Sequence, residues 1–344
     1  MKKLVLLDAN HLMHRAYWAI QRSLATSKGE QTNAVFGVAS MLLTLLAREH
    51  PDAIVACFDA GDDTFRHKDH EAYKAGRAET PDDFYVQIPR VHQCMAAFGI
   101  PTIADAKYEA DDFIGTLAAQ GVKEGFEVTI VTGDKDLFQM ASEHIQIAVP
   151  HKGYAMPEYL DPVGVEAKLG VSPQQIPDYK GLTGDASDNL KGVKGIGPKT
   201  TVELLQKYSS LEGIYEHLPE IRESVRAKLA ADRDSAFLCK RLATLVTDAP
   251  LPIALQETVH WHGESAAIDS FFQEIEFFTL RRRFRRFLEE DPYGKTHFRG
   301  ELSPMGTGKG SKDGGREWGN GDLPDVPLKE EKGMLTEAQL PLLD

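Results

Sequence analysis

The chain has 344 residues, 42% hydrophobic and 26% charged, which is typical of a soluble globular protein with room for two domains. No apolar run approaches the ~18 residues of a membrane span, and the run after Lys2 and Lys3 is too short for a signal peptide. The three cysteines are scattered, which argues against a disulfide framework and favours a reducing, cytoplasmic location.

The net charge of −13 argues at first sight against a nucleic-acid partner, but the distribution of charge matters more than its sum. Residues 301–344 contribute four of these negative charges. The remaining nine equal the number of carboxylates that cluster in the motifs described below. The rest of the chain is therefore near balance, and its basic residues are grouped.

Three short apolar runs are typical of buried strands, and an aspartate follows closely after each. They are KLVLL before Asp8, AIVACF before Asp59 and VTIVT before Asp134. A fourth run, IQIAV over 145–149, predicts another strand. Helical spacing over 33–48, 89–98 and 110–124 separates the strands. This alternation predicts an α/β fold with a mostly parallel twisted sheet and helices on both faces.

The second half of the chain lacks strand signals. GVKGIGPKT (192–200) is a glycine-punctuated turn between two helical stretches, and residues 210–245 have a helical pattern. From about residue 291 the composition turns rich in glycine and proline, without periodicity. We therefore predict an α/β core over 1–175, a helical region over 176–290 and a flexible tail or linker over 291–344.

The acidic residues carry the chemistry of this sequence. A lone aspartate after a strand is usually a helix cap, but parallel strands would bring three of the acidic blocks to one edge of the sheet. So many like charges need cations, and oxygen ligands favour Mg²⁺ or Mn²⁺. The pattern predicts metal-assisted chemistry on phosphate. The blocks LLDAN, CFDA, YEADD, TGDKD and GDASDN supply Asp8, Asp59, Glu109, Asp111, Asp112, Asp134, Asp136, Asp185 and Asp188.

Two basic segments could bind a nucleic-acid backbone. In GVKGIGPKT the backbone N–H groups can hold a phosphate, although a plain helix–turn–helix connection with glycine caps is the alternative. The predicted contacts are Lys191, Gly192, Lys194, Gly195, Gly197 and Lys199. In TFRHKDHEAYKAGR, bases surround an aromatic that can stack on an unpaired nucleotide, although a solvated helix face is the alternative. The residues are Arg66, Lys68, Tyr73, Lys74 and Arg77.

A third basic segment, RRRFRRF over 281–287, has two interpretations. It could grip phosphates, or it could form an amphipathic helix that packs Phe284 and Phe287 while its arginines stay in solvent. We favour the second interpretation.

Taken together and in this order, the motifs over about residues 1–290 resemble the 5′–3′ exonuclease and flap endonuclease family. They are LLDANHL, CFDA, FRH…YKAGR, YEADD, TGDKD, LTGDASDN and GVKGIGPKT. The likeness is strongest to the 5′ nuclease domain at the N-terminus of bacterial DNA polymerase I. It implies a PIN-like, resolvase-type core and a helical arch at about 65–90, through which a single-stranded 5′ end passes. It also implies a helix–hairpin–helix at about 185–208.

The resemblance implies roles for individual residues. Two Mg²⁺ ions, replaceable by Mn²⁺, are expected in adjoining sites. The first site takes Asp8, Asp59, Glu109, Asp111 and Asp112, and the second takes Asp134, Asp136, Asp185 and Asp188. Lys74 steers the scissile phosphate, Arg77 and Lys180 assist, Arg66 binds DNA, and Tyr73 stacks near the 5′ end. Carbonyl groups near Val193 and Ile196 bind K⁺.

The implied activity is a structure-specific 5′–3′ exonuclease and 5′-flap endonuclease. It hydrolyses DNA phosphodiesters by two-metal-ion catalysis in primer removal and repair, as a monomer with no membrane partner, and takes RNA–DNA hybrids too. The alternatives are a non-catalytic DNA-junction-binding module and a metal-dependent ribonuclease. Thr201 replaces the alanine common in the family, which implies only local repacking. The lack of polymerase motifs fits either a free-standing nuclease or a truncated polymerase.

Overall fold

A six-stranded sheet forms the centre of the N-terminal half. The computed structural model describes residues 2–20, 23–61, 64–76, 79–259 and 261–302. The strands are β1 (Lys2–Asp8), β2 (Ala53–Cys57), β3 (Thr102–Ile103), β4 (Phe126–Val131), β5 (Ile145–Val149) and β6 (Glu158–Leu160). They lie in the order β3-β2-β1-β4-β5-β6, and every neighbouring pair is parallel except β5–β6. The predicted strands and the mostly parallel sheet are confirmed.

Helices cover both faces of this sheet because its central strands are apolar on both sides. Leu4 and Leu6 of β1 pack in one cluster with Phe113, whereas Val5 and Leu7 pack in the opposite cluster with Leu42. Successive strand side chains point to opposite faces, so a continuous apolar run needs two covering layers. The α/β class is confirmed. These helices are α1 (Ala9–Ala19), α2 (Asn33–Glu49), α3 (Phe65–Asp69), α4 (Asp82–Tyr85), α5 (Ile88–Ala97) and α6 (Ala110–Lys123).

The chain after β6 is helical, as the sequence predicts. The hairpin GVKGIGPKT joins α8 to α9, so two helices flank it as expected. Short 3₁₀ turns lie at Asp136–Met140, Pro173–Gln175 and Leu218–Glu220. The helices are α7 (Pro162–Leu169), α8 (Ile176–Thr183), α9 (Pro198–Tyr208), α10 (Leu211–Glu216), α11 (Glu223–Ala231), α12 (Arg233–Ala243) and α13 (Leu255–Thr258).

The last described residues return to the α/β core. They form β7 (Gly263–Glu264), α14 (Ser265–Glu274), α15 (Phe278–Glu290), α16 (Pro292–His297) and β8 (Phe298–Arg299), and β7 pairs parallel with β8. The prediction of a tail from residue 291 is wrong for residues 291–302. Buried Tyr293 donates its hydroxyl to the Pro51 carbonyl at 2.6 Å, and Phe298 packs against Trp261. The remainder of the predicted tail, 303–344, lies outside the described residues.

The segment RRRFRRF forms much of α15. Phe284 is fully buried, as predicted. The prediction that the arginines stay in solvent holds for the exposed Arg282 and Arg286. It is wrong for Arg281 and Arg285, which both pair with the buried carboxylate of Asp269, at 2.6 and 2.9 Å. Arg283 donates to Ser40 Oγ on α2 at 3.1 Å. The helix is held against the core by charge as well as by aromatic packing.

All three cysteines are buried and none forms a disulfide, as predicted. Within the described ranges, no helix combines the length and the apolar composition needed to cross a membrane.

Candidate active site

The carboxyl ends of β1 and β4 hold the first two acidic side chains. Asp8 is buried at the end of β1, where its Oδ1 accepts the His11 backbone N–H at 3.0 Å and its Oδ2 accepts the Thr132 hydroxyl at 2.7 Å. Thr132 also accepts the backbone N–H of Asp134 at 2.9 Å, and Asp134 in turn accepts the backbone N–H of Asp136 at 2.9 Å. These bonds fix the loop after β4 beside the end of β1.

Two further carboxylates come from β2 and from the start of α6. Asp59 follows β2, and its Oδ1 accepts the Ala110 backbone N–H at 2.8 Å. Asp59 therefore accepts a hydrogen bond from an N–H group in the first turn of α6 that has no partner within the helix. Its negative charge also interacts favourably with the positive end of the helix dipole. Asp111 lies in the same turn. The prediction that blocks after three strands converge at one sheet edge is confirmed.

The closeness of these carboxylates is reflected in their pKa values. Burial raises the pKa of Asp111 well above its usual value, and the charges of Asp134, Asp8 and Asp59 raise it further. Burial likewise raises the pKa of Asp8, against the lowering effect of His11. We call Asp8, Asp59, Asp111 and Asp134 the first acidic group. The charges of Asp134, Asp8 and Asp59 destabilise the charged form of Asp111, which is the situation that a bound cation relieves.

A second acidic group consists of Asp136, Asp185 and Asp188. One carboxylate oxygen of each lies within 4.8 Å of the others, close enough to share an ion. Lys180 lies among them, with its Nζ 2.5 Å from Asp185 Oδ2 and in contact with Asp136. Burial would raise the pKa of Asp185, but the charge and hydrogen bond of Lys180, with bonds from Ser187, lower it to about 2.

The GDASDN block forms a turn and not a helix. Asp185 and Leu190 instead bond to each other's backbone, both at 2.7 Å, and Asn189 has a positive φ of 57°. The resulting tight turn places Asp185 and Asp188 on the side facing Asp136. Asparagine tolerates this left-handed conformation better than most residues.

Tyr73 and Glu109 connect the two acidic groups. The Tyr73 hydroxyl lies 3.3 Å from Glu109 Oε2 and 3.1 Å from Asp188 Oδ2. Lys74 donates to Glu109 Oε1 at 2.7 Å and, through its backbone N–H, to the Asp188 carbonyl at 3.0 Å. Tyr73 is 4% exposed, so the prediction that its ring stacks on a nucleotide is wrong for this conformation. Arg77 lies outside the described residues.

Arg66 and Asp112 have a structural role instead of the predicted ones. Arg66 is 2% exposed and Asp112 is fully buried, and their side chains form two parallel bonds of 2.7 Å. Arg66 also donates to the Leu242 carbonyl, and Asp112 accepts the backbone N–H groups of Glu109 and Val246. Arg66 cannot reach DNA here, and Asp112 has no oxygen left for an ion, so both predictions are corrected.

The two acidic groups enclose a small cavity of about 40 Å³. This volume admits a few water-sized particles. The ligand atoms are all oxygen, as hard divalent ions require, and the raised pKa of Asp8 and Asp111 indicates uncompensated negative charge. The residues present therefore fit divalent ions. The cavity is lined by Glu109, Asp111, Asp134, Asp136 and Asp188, with Lys74 and Lys180 beside them.

We expect metal removal to destabilise the protein in a pH-dependent way. Asp8 and Asp111 have a raised pKa when folded, so their contribution to stability falls as pH rises above about 4. Mg²⁺ offsets this loss, by about 2.7 kcal/mol at a hundredfold excess over its Kd. Thermal unfolding with Mg²⁺ or EDTA should show a larger difference in Tm at pH 8 than at pH 5. Equal Tm values at pH 8 would contradict a metal site.

Sequence reasoning missed two residues that shape this site. Thr132 positions both Asp8 and Asp134, and its only sequence signal is its place directly after a strand, as the first residue of TGDKD. His11 is half-buried, and its Nε2 atom is buried with no hydrogen-bond partner among the described residues. It faces Gly133, where an added Cβ would lie 2.5 Å from Nε2. The glycine of TGDKD is therefore required by the close approach of a histidine.

The hairpin between α8 and α9 lies on a basic surface. Lys191, Lys194 and Lys199 are exposed around it, at the start of α9. Two hydrogen bonds of 2.8 Å join the hairpin to α11 and the residue after it. Lys228 Nζ donates to the Gly195 carbonyl, and the Asp232 side chain accepts the Lys194 backbone N–H. The side chains of Val193 and Ile196 are buried in the core, and that of Thr201 is fully buried without a partner for its hydroxyl within the described part.

Gly192 is the hairpin residue least able to carry a side chain. Its φ is +54°, and an added Cβ would lie 2.2 Å from the Gly184 backbone nitrogen. We expect Gly192→Ala to lower the free energy of unfolding by about 2 kcal/mol, measured with urea. Gly197→Ala is the control, because Gly197 has open space around it, and should cost under about 1 kcal/mol. Equal costs would mean that the hairpin relaxes around the new methyl group.

Comparison with known families decides the assignment. The family model described as "5′-3′ exonuclease, N-terminal resolvase-like domain" matches residues 3–170, and the one described as "5′-3′ exonuclease, C-terminal SAM fold" matches residues 171–266. The chain belongs to the 5′–3′ exonuclease family. The family, the enzyme class and the fold class predicted from the sequence are thereby confirmed.

Relatives in this family include full-length polymerases. DNA polymerase I of Bacillus caldotenax is 40% identical over 300 residues, which is 86% of this chain and 34% of that protein. The Bacillus subtilis polymerase I is 40% identical over 283 residues, 82% of this chain and 32% of that protein. The chain spans about a third of the length of these relatives.

Solved structures share the fold. The zinc-bound 5′-exonuclease of phage T5 is 19% identical with a TM-score of 0.62, covering 80% of this chain and 99% of that one. A bacteriophage T5 flap endonuclease in a complex with DNA and metal ions is 17% identical with a TM-score of 0.59, covering 82% and 100%. At these identities the similarity establishes the architecture alone.

Proposed function

We propose that this exonuclease-family chain is a divalent-metal-dependent 5′ nuclease that hydrolyses DNA at free 5′ ends and at 5′ flaps. The observation that carries the proposal is the pair of adjoining acidic groups around one small cavity, with Lys74 and Lys180 beside them. Two Mg²⁺ ions, or Mn²⁺ in their place, would supply an activated water and charge stabilisation for in-line displacement at phosphorus.

We assign the ion ligands from the geometry. In this proposal Asp8, Asp59, Asp111 and Glu109 hold the first ion, and Asp136, Asp185 and Asp188, whose carboxylate oxygens lie within 4.8 Å of one another, hold the second. Asp134 lies between them, since its charge acts on Asp111 while its side chain bonds to the backbone of Asp136. This division differs from the sequence-based assignment at Asp112, which is no longer a ligand, and at Asp134, which that assignment gave to the second site.

The basic side chains bind the phosphate. The ammonium groups of Lys74 and Lys180 now neutralise Glu109 and Asp185, each at hydrogen-bond distance. When ions take over that neutralisation, both ammonium groups become available to a phosphate oxygen. Hydrolysis adds water across the P–O bond, so the 5′ phosphate leaves with one fragment and the 3′ hydroxyl remains on the other.

The basic hairpin is suited to duplex binding outside the acidic cavity. Exposed lysines and backbone N–H groups bind phosphates without reading bases, so this contact is independent of sequence. We propose that residues 1–175 cut, that residues 176–290 grip the duplex, and that K⁺ joins the hairpin carbonyls of Val193 and Ile196 to a phosphate. The segment over 65–90 receives the single-stranded end.

The wider role is proposed by analogy with the relatives. Similarity to bacterial polymerase I proteins and to a DNA-bound T5 flap endonuclease supports primer removal and repair in the cytoplasm. RNA–DNA hybrids are then substrates as well, and the chain acts as a monomer.

A cleavage assay on matched substrates tests the proposal. The full chain is incubated with a 5′-flap duplex, the flapless duplex and single-stranded RNA, each with MgCl₂ or with EDTA. We expect Mg²⁺-dependent cutting near the flap junction. Binding without cutting would indicate a junction-binding module, and preferential cutting of single-stranded RNA would indicate a ribonuclease; either result overturns the proposal.

A further inference from the structure

A second, larger cavity adjoins the acidic one. It has a volume of about 350 Å³ and is lined by Phe65, Lys68, Lys107, Tyr108 and Val246. That volume falls within the range, roughly 300–1,000 Å³, of small-molecule sites. None of its lining residues belongs to the acidic groups described above.

The two cavities lie back to back, because three pairs of consecutive residues line both. Arg66, Glu109 and Leu245 line the acidic cavity, and their chain neighbours Phe65, Tyr108 and Val246 line the second one. Consecutive Cα atoms are about 3.8 Å apart, so the dividing wall is one residue thick at each of these places. A strand whose phosphate lies in the acidic cavity would then pass beside this shared wall.

The chemistry of the lining fits a nucleotide. The half-buried Phe65 and Tyr108 have ring centroids 6.3 Å apart, at an interplanar angle of 59°, and Val246 adds an apolar wall. Lys68 and Lys107 are exposed, and their chain positions place two positive charges beside these rings. Aromatic faces accept any base by stacking, and ammonium groups bind its phosphate.

The wall is also rigid, which a stacking site requires. The Phe65 backbone N–H donates to the Lys107 carbonyl at 3.4 Å, so the two sides of the cavity are joined. The guanidinium carbon of Arg66 lies 4.6 Å from the Phe65 ring centroid, and Arg66 is locked by Asp112. The Tyr108 ring packs on Phe113 of α6, with centroids 5.9 Å apart.

We infer that this second cavity, the flap pocket, binds one unpaired nucleotide of the 5′ strand, stacking its base on Phe65 and Tyr108. The inference rests on the proposed function, because it takes the acidic cavity as the place of the scissile phosphate. Lys68 and Lys107 bind the phosphate of the stacked nucleotide. The flap pocket thus positions the strand across the cutting site without recognising its sequence.

The test measures binding separately from cutting. Fluorescence anisotropy with Ca²⁺ in place of Mg²⁺, so that the acidic cavity can still hold an oxygen-bound divalent ion, compares a duplex carrying a three-nucleotide 5′ flap, the same flap with one abasic nucleotide at each position in turn, and the flapless duplex. We expect wild-type affinity to fall roughly tenfold for one abasic position. Tyr108→Leu should bind the intact flap about tenfold more weakly than the wild type does. Its affinity should not fall further when that same flap position is abasic. Tyr108→Phe should bind like wild type.

A charge variant and its control complete the design. Lys107→Ala should weaken flap binding, whereas Lys123→Ala, which removes an exposed lysine at the other end of α6, should not. If Tyr108→Leu weakens the flapless duplex as much as the flap, or if no abasic position matters, the inference is overturned. Cutting by the wild-type chain with Mg²⁺ judges the proposed function separately, since that outcome does not depend on the flap pocket.

Discussion

Asp134→Asn is expected to slow cleavage of a 5′ flap by about 10³-fold while leaving duplex binding nearly unchanged. Asp134 lies between the two acidic groups, where its charge acts on Asp111 and its side chain bonds to the Asp136 backbone. Losing this carboxylate weakens the hold on both ions, and several kcal/mol of transition-state stabilisation correspond to about three orders of magnitude in rate. Single-turnover cleavage with saturating enzyme and Mg²⁺ measures the effect.

The control for this variant removes an exposed carboxylate at the opposite edge of the sheet. Glu143 precedes β5 and is exposed, so Glu143→Gln changes the net charge equally without touching the acidic cavity. Its rate should match that of the wild type. An Asp134→Asn variant that cuts at the wild-type rate would remove Asp134 from the ion ligands, and loss of duplex binding would show that Asp134 also supports the fold of the DNA-binding region.

Asp112→Ala is expected to lower the free energy of unfolding by about 3–5 kcal/mol, because it leaves a buried guanidinium without its partner. Burial alone would lower the pKa of Arg66, but the hydrogen bonds and charge of Asp112 raise it above its usual value, so the arginine stays charged. The variant also leaves the N–H groups of Glu109 and Val246 without their acceptor. Urea unfolding of the metal-free protein measures the loss.

Asp69→Ala is the matched control. Asp69 lies in α3, as Arg66 does, and the variant breaks an Asp–Arg pair that is largely exposed. Asp69 lies 3.2 Å from Arg241, with side-chain exposures of 40% and 61%, and such pairs contribute about 0–1 kcal/mol. The double variant Arg66→Met/Asp112→Leu should regain part of the stability. An Asp112→Ala variant that is as stable as the wild type but does not cut would contradict the structural role and make Asp112 an ion ligand.

Much of the fold could be predicted because the central strands are buried on both faces and carry aspartates at one end. After its lysine, the run KLVLL is apolar at every position, as a strand covered on both faces requires, and the residue after such a strand lies at the ligand-binding edge. For this reason Asp8 and Asp134 could be brought together from sequence alone.

The roles of individual site residues depend on which side chains they contact in the folded chain. Those partners are often far apart in sequence. Asp112 lies three residues after Glu109, the spacing of a capping box, and this signal could have marked it as a helix cap. Its partner Arg66 is 46 residues away in sequence, so no spacing rule finds it. The burial of Tyr73 and the pairing of Arg281 with Asp269 depend likewise on tertiary packing.

The wall shared by the two cavities constrains how the enzyme can be altered. Phe65, Tyr108 and Val246 cannot shift without moving Arg66, Glu109 and Leu245, because each pair is joined by a peptide bond. We therefore expect a redesign that widens the flap pocket for a bulkier or modified base to change the cutting rate as well. Variants selected for a change in base preference should be screened for that rate.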